Sequence, residues 1–212
     1  MNHGPLLFLG VLTTLAASWL GLVAVPRHQL ASLDADLSTN ALSAVVTYPP
    51  ARSGEAVQGH AHYVAHGCIA CHTQQVRPAN GGSDVARGWG QRRSVARDYL
   101  RDSPVQLGSS RLGPDLANYG ERLGTNGFNL VRLYNPRLVV TNSTCAGLPF
   151  LFEQRPVMAT GPSADALALP DGTGMEVIPT RAARQLAAYL GSLSSSVDLP
   201  EAVLPVKEEA KR

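Results

Sequence analysis

The longest hydrophobic run in the chain lies near its amino-terminal end. No charged residue occurs from Pro5 to Val25, and about 20 apolar residues are enough to cross the hydrocarbon core of a bilayer as a helix. A cleaved signal peptide would combine a shorter apolar core, a charged start and a small-residue cleavage site, and that combination is missing. The pattern therefore predicts one transmembrane anchor over residues 5–25.

Helical spacing returns in the remaining sequence, separated by a long irregular stretch. Residues 54–67 have a spacing that permits a helix, and residues 180–193 place leucine and tyrosine side chains on one face, with Thr180 as the predicted N-cap. A short helix is indicated over residues 128–134. Residues 80–112 are rich in glycine and arginine and predict a long loop. The fold class predicted from these patterns is all-α.

Two polar segments divide the part of the chain that follows the anchor. Residues 26–53 end in two consecutive prolines, which cannot continue a helix, and they are interpreted as a stalk or docking segment. Residues 195–212 contain serines, prolines and a charged end, and they predict a mobile tail or a segment that lies along a partner. The segment between them, residues 54–194, has the length of one small domain.

Composition narrows the range of partners. The chain has 212 residues, 44% of them apolar, and a formal net charge of +2. A nucleic-acid-binding protein normally has a concentrated basic face, whereas the one local cluster of arginines here, residues 87–101, is interleaved with aspartates. We therefore expect no nucleic-acid partner, and we interpret the arginine cluster as a solvated face.

The motif with the most specific chemistry is Cys68-Ile69-Ala70-Cys71-His72. Cys-x-x-Cys-His is the pattern that attaches haem c covalently. Two thiols one turn apart form thioethers with the haem vinyl groups, and the adjacent imidazole serves as the proximal iron ligand. The motif predicts one covalent haem c on Cys68, Cys71 and His72.

A Cys-x-x-Cys pair also occurs in dithiol redox centres and in zinc sites. Zinc requires four ligands, but the chain has three cysteines, and the third, Cys145, lies far from the pair in sequence. A dithiol centre has no evident use for His72. Haem c is attached outside the cytoplasmic membrane, so the prediction for the chain is a single-pass protein of the inner membrane with its haem domain in the periplasm.

Beyond this motif, the sequence resembles the membrane-anchored monohaem cytochrome c subunit, subunit II, of cbb-type cytochrome c oxidases, which belong to the C family of haem-copper oxidases. A generic cytochrome c would share only the Cys-x-x-Cys-His motif and a Gly-Pro pair. The more specific matches are GCIACHTQQVRP at 67–78, DYLRDSPVQLGSSRLGPDLANYG at 98–120, LYNPR at 133–137, LPFLF at 148–152 and IPTRAARQLAAYL at 178–190.

The resemblance implies a class I cytochrome c-like domain with long loops, joined to the membrane anchor. It also implies an electron-transfer subunit that has no catalytic residues of its own. Electrons would arrive from a donor cytochrome or a quinol-oxidising complex. They would pass to the haem-copper catalytic subunit, which reduces oxygen to water, within an assembly that includes other oxidase subunits.

Further site residues follow from the resemblance position by position. The carbonyl of Pro114 should accept a hydrogen bond from His72 and raise its basicity. Arg111, Arg77 and Trp89 are candidates for hydrogen bonds to the haem propionates, because a guanidinium matches a carboxylate. The alternative for each of these three side chains is ordinary packing in a loop or on the surface.

The distal position departs from the family pattern. The family has a methionine in a Ser-x-Met-Pro context shortly before a Pro-Phe-Leu run, and Cys145 stands in that place here. A thiolate ligand donates charge to ferric iron, so Cys145 ligation would lower the reduction potential strongly. The alternatives are Met158 or Met175 as the ligand, a five-coordinate iron, or Cys145 as a free thiol.

Three other functions remain open from the sequence. A free-standing anchored cytochrome could shuttle electrons between complexes, and a weak distal site would suit a haem-based redox or gas sensor. An anchored monohaem cytochrome also serves as the small subunit of nitric oxide reductases. The GSSRLGPDL and LPFLF blocks favour the oxidase subunit over that last function.

Overall fold

The computed structural model describes residues 3–39, 45–123, 126–169 and 174–204. It is largely helical, with two short antiparallel strand pairs. The prediction of an all-α fold with one amino-terminal membrane helix is therefore confirmed, and the strand pairs are additions that the hydrophobic pattern did not indicate.

The first helix, α1, extends over Gly4–Ala31. At about 1.5 Å per residue it is about 42 Å long, more than the roughly 30 Å of a bilayer core. A π-helical turn at Leu20–Ala24 precedes Pro26, which lacks an amide hydrogen and crowds the preceding turn. The apolar window of this helix is unburied by the rest of the described chain. An apolar helix exposed on all sides suits a membrane, as expected for the anchor.

The predicted stalk contains regular structure. Strand β1, Asp36–Thr39, pairs in antiparallel fashion with strand β2, Val45–Tyr48, and Asp36 is opposite Tyr48. The side chain of Tyr48 is buried at the end of β2. The role of residues 26–53 as a docking segment stays a prediction.

The main core forms where helix α2, Gly54–Ala65, packs against the last helix, α5, Arg181–Gly191. Ser53 caps α2 by accepting from the backbone amide of Ala56, and Thr180 caps α5 in the same way, as predicted. At Gly59 an added Cβ would lie 2.7 Å from Cβ of Tyr189, so a glycine allows the two helices to approach closely. Tyr63, Leu186 and Tyr189 are fully buried at this contact.

Short elements connect these two helices. The 3₁₀ turns are Cys68–Ala70, Ala96–Tyr99, Pro136–Leu138 and Pro149–Leu151. Helices α3, Tyr119–Leu123, and α4, Asn126–Tyr134, lie between the second and third of these turns. Strand β3, Phe152–Pro156, pairs with strand β4, Met175–Pro179, and Phe152 is opposite Pro179. The predicted long loop over residues 80–112 contains one 3₁₀ turn and is otherwise irregular.

The described part of the predicted tail belongs to the folded domain. Val197, Leu199 and Ala202 form a second small core with Tyr48 and Val95. Residues 195–204 are therefore packed against the loop and the stalk, in contrast to the prediction of a mobile tail. These three apolar residues of the segment are buried, although its serines and prolines suggested an exposed tail. The remaining tail residues lie outside the described part of the chain.

The arginine cluster at residues 87–101 also differs from the predicted solvated face. Arg92 is buried beneath that second core, where its guanidinium donates to Asp98 at 2.7 Å and to the carbonyl of Val197 at 2.7 Å. Arg97 forms an ion pair with Glu201 at 2.7 Å. The interleaved charges join the loop to the carboxyl-terminal segment, and they also contact the stalk, because Tyr48 donates to Asp98 at 2.7 Å.

Candidate haem-attachment site

The Cys-x-x-Cys-His motif directly follows α2. Gly67 adopts a φ of +65°, a conformation that favours glycine, and it turns the chain into the 3₁₀ turn Cys68–Ala70. The amide of His72 donates to the carbonyl of Cys68 at 3.0 Å. Cys68 is half-buried and Cys71 is exposed. One turn of backbone therefore presents both thiols and the imidazole together.

The orientation of the His72 ring is fixed by the backbone of residues 113–114. Nδ1 of His72 donates to the carbonyl of Pro114 at 2.8 Å. With its proton on Nδ1, a neutral imidazole has a free lone pair on Nε2. An added Cβ on Gly113 would lie 2.7 Å from Nδ1, so only a glycine lets the backbone pass this close to the ring. The arrangement suits a histidine whose Nε2 binds a metal.

The segment after the motif is clamped to the Gly-Pro-Asp segment by several hydrogen bonds. The amide of Gly113 donates to the carbonyl of Cys71 at 3.0 Å, and the amide of Leu116 donates to the carbonyl of Thr73 at 2.8 Å. Asp115 is fully buried and accepts from the hydroxyl of Thr73 and from the amide of Gln75. Sequence reasoning did not single out Asp115, although its place directly after Pro114 was a usable signal.

Arg77 and Arg111 converge on Asp84, which is fully buried. Nη2 of Arg77 is 2.8 Å from a carboxylate oxygen of Asp84, and Nη1 of Arg111 is 2.7 Å from the same oxygen. Burial alone would raise the pKa of Asp84, but hydrogen bonds from both arginines hold it well below its usual range. Asp84 is a second residue of this region that sequence analysis missed, because a single aspartate in a loop gives no pattern.

Trp89 lies between two arginines. The guanidinium carbon of Arg87 is 5.0 Å from the indole centroid, and that of Arg111 is 5.6 Å away. Arg111 also donates to the hydroxyl of Thr73 and to the carbonyl of Gln75. Its donors thus already have protein acceptors, and the propionate role suggested for Arg111, Arg77 and Trp89 stays a prediction.

The structure brings Cys145 toward the motif. Burial raises the pKa of the Cys145 thiol, and the negative charge of a Cys71 thiolate raises it further. Burial likewise raises the pKa of Cys68 to about 11, with contributions from Cys145 and Cys71. Cys145 is nevertheless exposed at the surface, and its thiol lies 3.6 Å from the carbonyl of Ala146. The three cysteines therefore belong to one region of the domain, although they are far apart in sequence.

The two alternative methionines lie at one end of the strand pair β3–β4. Met175 is opposite Pro156 at one end of the pair, and Met158 follows β3 by two residues with 64% of its surface exposed. The core end of the pair, Phe152, is four residues away, or about 13 Å along the strand. The pairing therefore holds Met175 away from the main core.

An apolar surface borders the motif on its open side. Leu112, next to Gly113, is 77% exposed, and Phe150 is 65% exposed. The Phe150 ring packs edge-on against His66 at 5.4 Å between centroids, which places the 149–151 turn beside the end of α2. Exposed large apolar side chains next to two thiols and an oriented imidazole suit a flat, largely apolar cofactor. The residues present therefore fit a haem.

His62, one turn before His66, contacts the last helix. Its Nε2 is 3.1 Å from Oε1 of Gln185, and its ring stacks on His66 at 6.1 Å. His62 thus joins α2 to α5.

The fold and the site define a membrane-anchored, largely helical domain with one Cys-x-x-Cys-His motif, the class of anchored single-haem cytochromes. A family model described as "Cytochrome C oxidase, mono-heme subunit/FixO" matches residues 5–168. The chain belongs to this family, and the resemblance seen in its sequence is confirmed. No curated protein matches the chain. Family membership implies an electron-transfer subunit of a cytochrome c oxidase that carries one haem.

Proposed function

We propose that this chain transfers electrons through one haem c, bound covalently by Cys68 and Cys71, to the haem-copper catalytic subunit of a cbb-type oxidase. The observation that carries the proposal is the 2.8 Å hydrogen bond from Nδ1 of His72 to Pro114, formed directly beside the two motif thiols. It leaves Nε2 available as the proximal ligand.

The protein's contribution is to hold the ligand still. The iron, when bound, supplies one-electron redox chemistry. The carbonyl of Pro114 orients the His72 ring and increases its basicity, and buried Asp115 fixes the segment that follows His72. Because these supports are hydrogen-bonded within the chain, the histidine keeps one position in both oxidation states. That constancy favours rapid electron transfer.

The other uses of a Cys-x-x-Cys pair fit the site less well. A dithiol redox centre needs a thiol with a lowered pKa, whereas burial raises that of Cys68 to about 11. A zinc site needs four ligands, and neither a second cysteine pair nor a nearby carboxylate accompanies the motif in sequence.

For the distal ligand we propose Cys145. Its support is its place in the family pattern and its electrostatic proximity to Cys71 and Cys68. Met158 and Met175 are the alternatives, and the strand pairing that holds Met175 away from the core favours Cys145 over Met175. Thiolate ligation would give this haem a low potential.

The proposed location is the inner membrane, with the haem domain in the periplasm. Helix α1 supplies the anchor, and covalent haem attachment takes place on the periplasmic side. Thioether formation also protects Cys68 and Cys71 from oxidation to a disulfide in that compartment.

The experiment that tests this function compares the chain within its complex and alone. The chain is purified in detergent from cells that mature cytochromes c, and its haem is reduced and then mixed with oxygen. We expect an integral-membrane oxidase to co-purify, and the haem to be reoxidised rapidly only in that complex. A chain that purifies without partners would support the shuttle instead, and direct binding of carbon monoxide to the isolated chain would support the sensor.

A further inference from the structure

A second group of arginines lies close to the site, on the short helices that follow Pro114. Arg122 is on α3 and Arg132 is on α4, and Tyr119, the first residue of α3, lies in the buried core. The guanidinium carbon of Arg122 is 5.9 Å from the Tyr119 ring centroid. Burial raises the pKa of Tyr119, and the charges of Arg132 and Arg122 oppose that rise. The three side chains therefore form one cluster.

The position of this cluster follows from two contacts. Nη2 of Arg122 donates to the carbonyl of Asp115, the residue that directly follows the Pro114 support of His72. On the other side, a negative charge at Cys145 is close enough to raise the pKa of Tyr119. The cluster thus adjoins the segment that supports His72 and is close to Cys145.

Arg122 is incompletely neutralised in this position. The acceptor of its Nη2 is a neutral carbonyl, and its Nε is buried with no hydrogen-bond acceptor within the described residues. Burial lowers the pKa of Arg122, and the charge of Arg132 lowers it further, although Asp115 opposes both effects. Asp115 itself is already hydrogen-bonded by Thr73 and Gln75. A half-buried guanidinium whose buried Nε has no acceptor calls for an anion.

A neighbouring side-chain amide also lacks hydrogen-bond partners. Asn129 is fully buried on α4, and neither its amide nitrogen nor its amide oxygen has a partner among the residues that the structure describes. Residues three apart on a helix lie on the same side, so Asn129 is next to Arg132. Buried polar atoms without partners are rare in folded proteins and call for a ligand or a water.

The arginines predicted from the sequence differ from Arg122 in this respect. Arg77 and Arg111 face two buried carboxylates, Asp84 and Asp115, so their charges are already balanced. A further carboxylate there would meet two existing negative charges. At Arg122 a carboxylate would instead reduce the repulsion from Arg132 and accept a hydrogen bond from the unpartnered Nε.

We propose that Arg122 and Arg132, with Tyr119, bind a propionate carboxylate of the haem, in place of Arg111, Arg77 and Trp89. This inference rests on the proposed function, since it requires a haem held by the motif. A guanidinium offers a carboxylate two parallel N–H donors, which a lysine does not. Positive charge near the iron stabilises the ferrous state, so the cluster also raises the reduction potential.

The test uses the full chain, matured with haem and purified in detergent. Arg122→Gln removes the positive charge and the paired N–H donors of the guanidinium, whereas Arg122→Lys keeps the charge but loses the paired donors. Arg132→Gln removes the second guanidinium. Arg184→Gln is the matched control, because Arg184 pairs with an exposed aspartate on the surface. The readouts are the propionate bending band in resonance Raman spectra and the midpoint potential. Covalent haem on a denaturing gel is recorded for every variant.

We expect both glutamine variants to shift the propionate band and to lower the midpoint potential. We expect Arg122→Lys to shift the band with a smaller fall in potential, and Arg184→Gln to change neither. An unchanged band and potential in both glutamine variants that retain haem would overturn the propionate assignment alone. The same changes in Arg111→Gln instead would also overturn it. Absence of covalent haem from the unsubstituted chain would refute the proposed function as well.

Discussion

Replacing Gly113 with alanine tests the support of His72 most sharply. The new Cβ would overlap Cε1 of the imidazole, its nearest ring atom, and would lie 2.7 Å from Nδ1 and 3.0 Å from Nε2, whereas non-bonded atoms of this size need about 3.5 Å. Clearing Nδ1 alone requires a retreat of about 0.8 Å, and clearing Cε1 requires more. A retreat of that size would lengthen the 2.8 Å hydrogen bond to Pro114 to about 3.6 Å or more, which is no longer a hydrogen bond.

The expected loss of stability combines two effects. The lost hydrogen bond costs about 1 kcal/mol, and forcing an extra carbon into a packed site costs about 1–3 kcal/mol. We therefore expect the free energy of unfolding to fall by about 2–4 kcal/mol. Loss of the carbonyl partner also makes His72 less basic, so the midpoint potential of the haem should rise.

Urea unfolding in detergent, followed by tryptophan fluorescence, measures the first effect, and a redox titration measures the second. Gly54→Ala is the matched control, since an added Cβ there meets no atom within 4 Å, and its stability should stay within about 1 kcal/mol of the natural chain. Equal unfolding free energies and equal potentials for Gly113→Ala and the natural chain would refute the reasoning.

Three further substitutions test other parts of the account. Asp84→Asn should cost about 3 kcal/mol, because it leaves the two arginines without a buried charge, and urea unfolding should show a much smaller loss for exposed Asp165→Asn. Since the pKa of Asp84 is lowered on folding, the ionised carboxylate stabilises the folded state fully above about pH 4, and this stabilisation decreases as the pH falls. If the Asn variant lost as much unfolding free energy as the natural chain on acidification, this explanation would be contradicted. Leu199→Ala should cost about 2–3 kcal/mol, because Leu199 is 2% exposed, and Val203→Ala, at a 66% exposed position, should cost little; equal effects would contradict a folded carboxyl-terminal segment. Cys145→Met should raise the midpoint potential and convert a thiolate-type EPR spectrum to a thioether type, and an unchanged spectrum would exclude Cys145 as the distal ligand.

The parts of the fold that the sequence predicted are those with strong local patterns. The uncharged run gave the anchor, and the spacing of apolar residues with Thr180 at the start gave α5. The strand pair β3–β4 was missed because its partners are separated by a long loop and only Phe152 has a deeply buried side chain on β3. Pairing over such a distance leaves no local signal.

The site residues likewise fall into those that the sequence predicted and those that tertiary contacts determine. The motif and Pro114 follow from spacing and from a family resemblance, and the structure places His72 against the Pro114 carbonyl. The environment of Asp84 could not be predicted, because it depends on Arg111 reaching Asp84 across 27 residues of largely irregular loop. Which arginines are paired with a carboxylate depends on which side chains are buried together. In a loop-rich domain that burial is set by tertiary contacts, which leave no local pattern in the sequence.

The central claim is that Cys68 and Cys71 attach one haem covalently while His72 binds its iron. The most direct measurement is haem staining of the full chain on a denaturing gel, together with the pyridine haemochrome spectrum of the same sample. We predict one haem c that stays on the polypeptide under denaturing conditions, and its loss from the gel band in a Cys68→Ser, Cys71→Ser double variant. A chain matured under the same conditions without covalent haem, or a double variant that keeps it, would contradict the account.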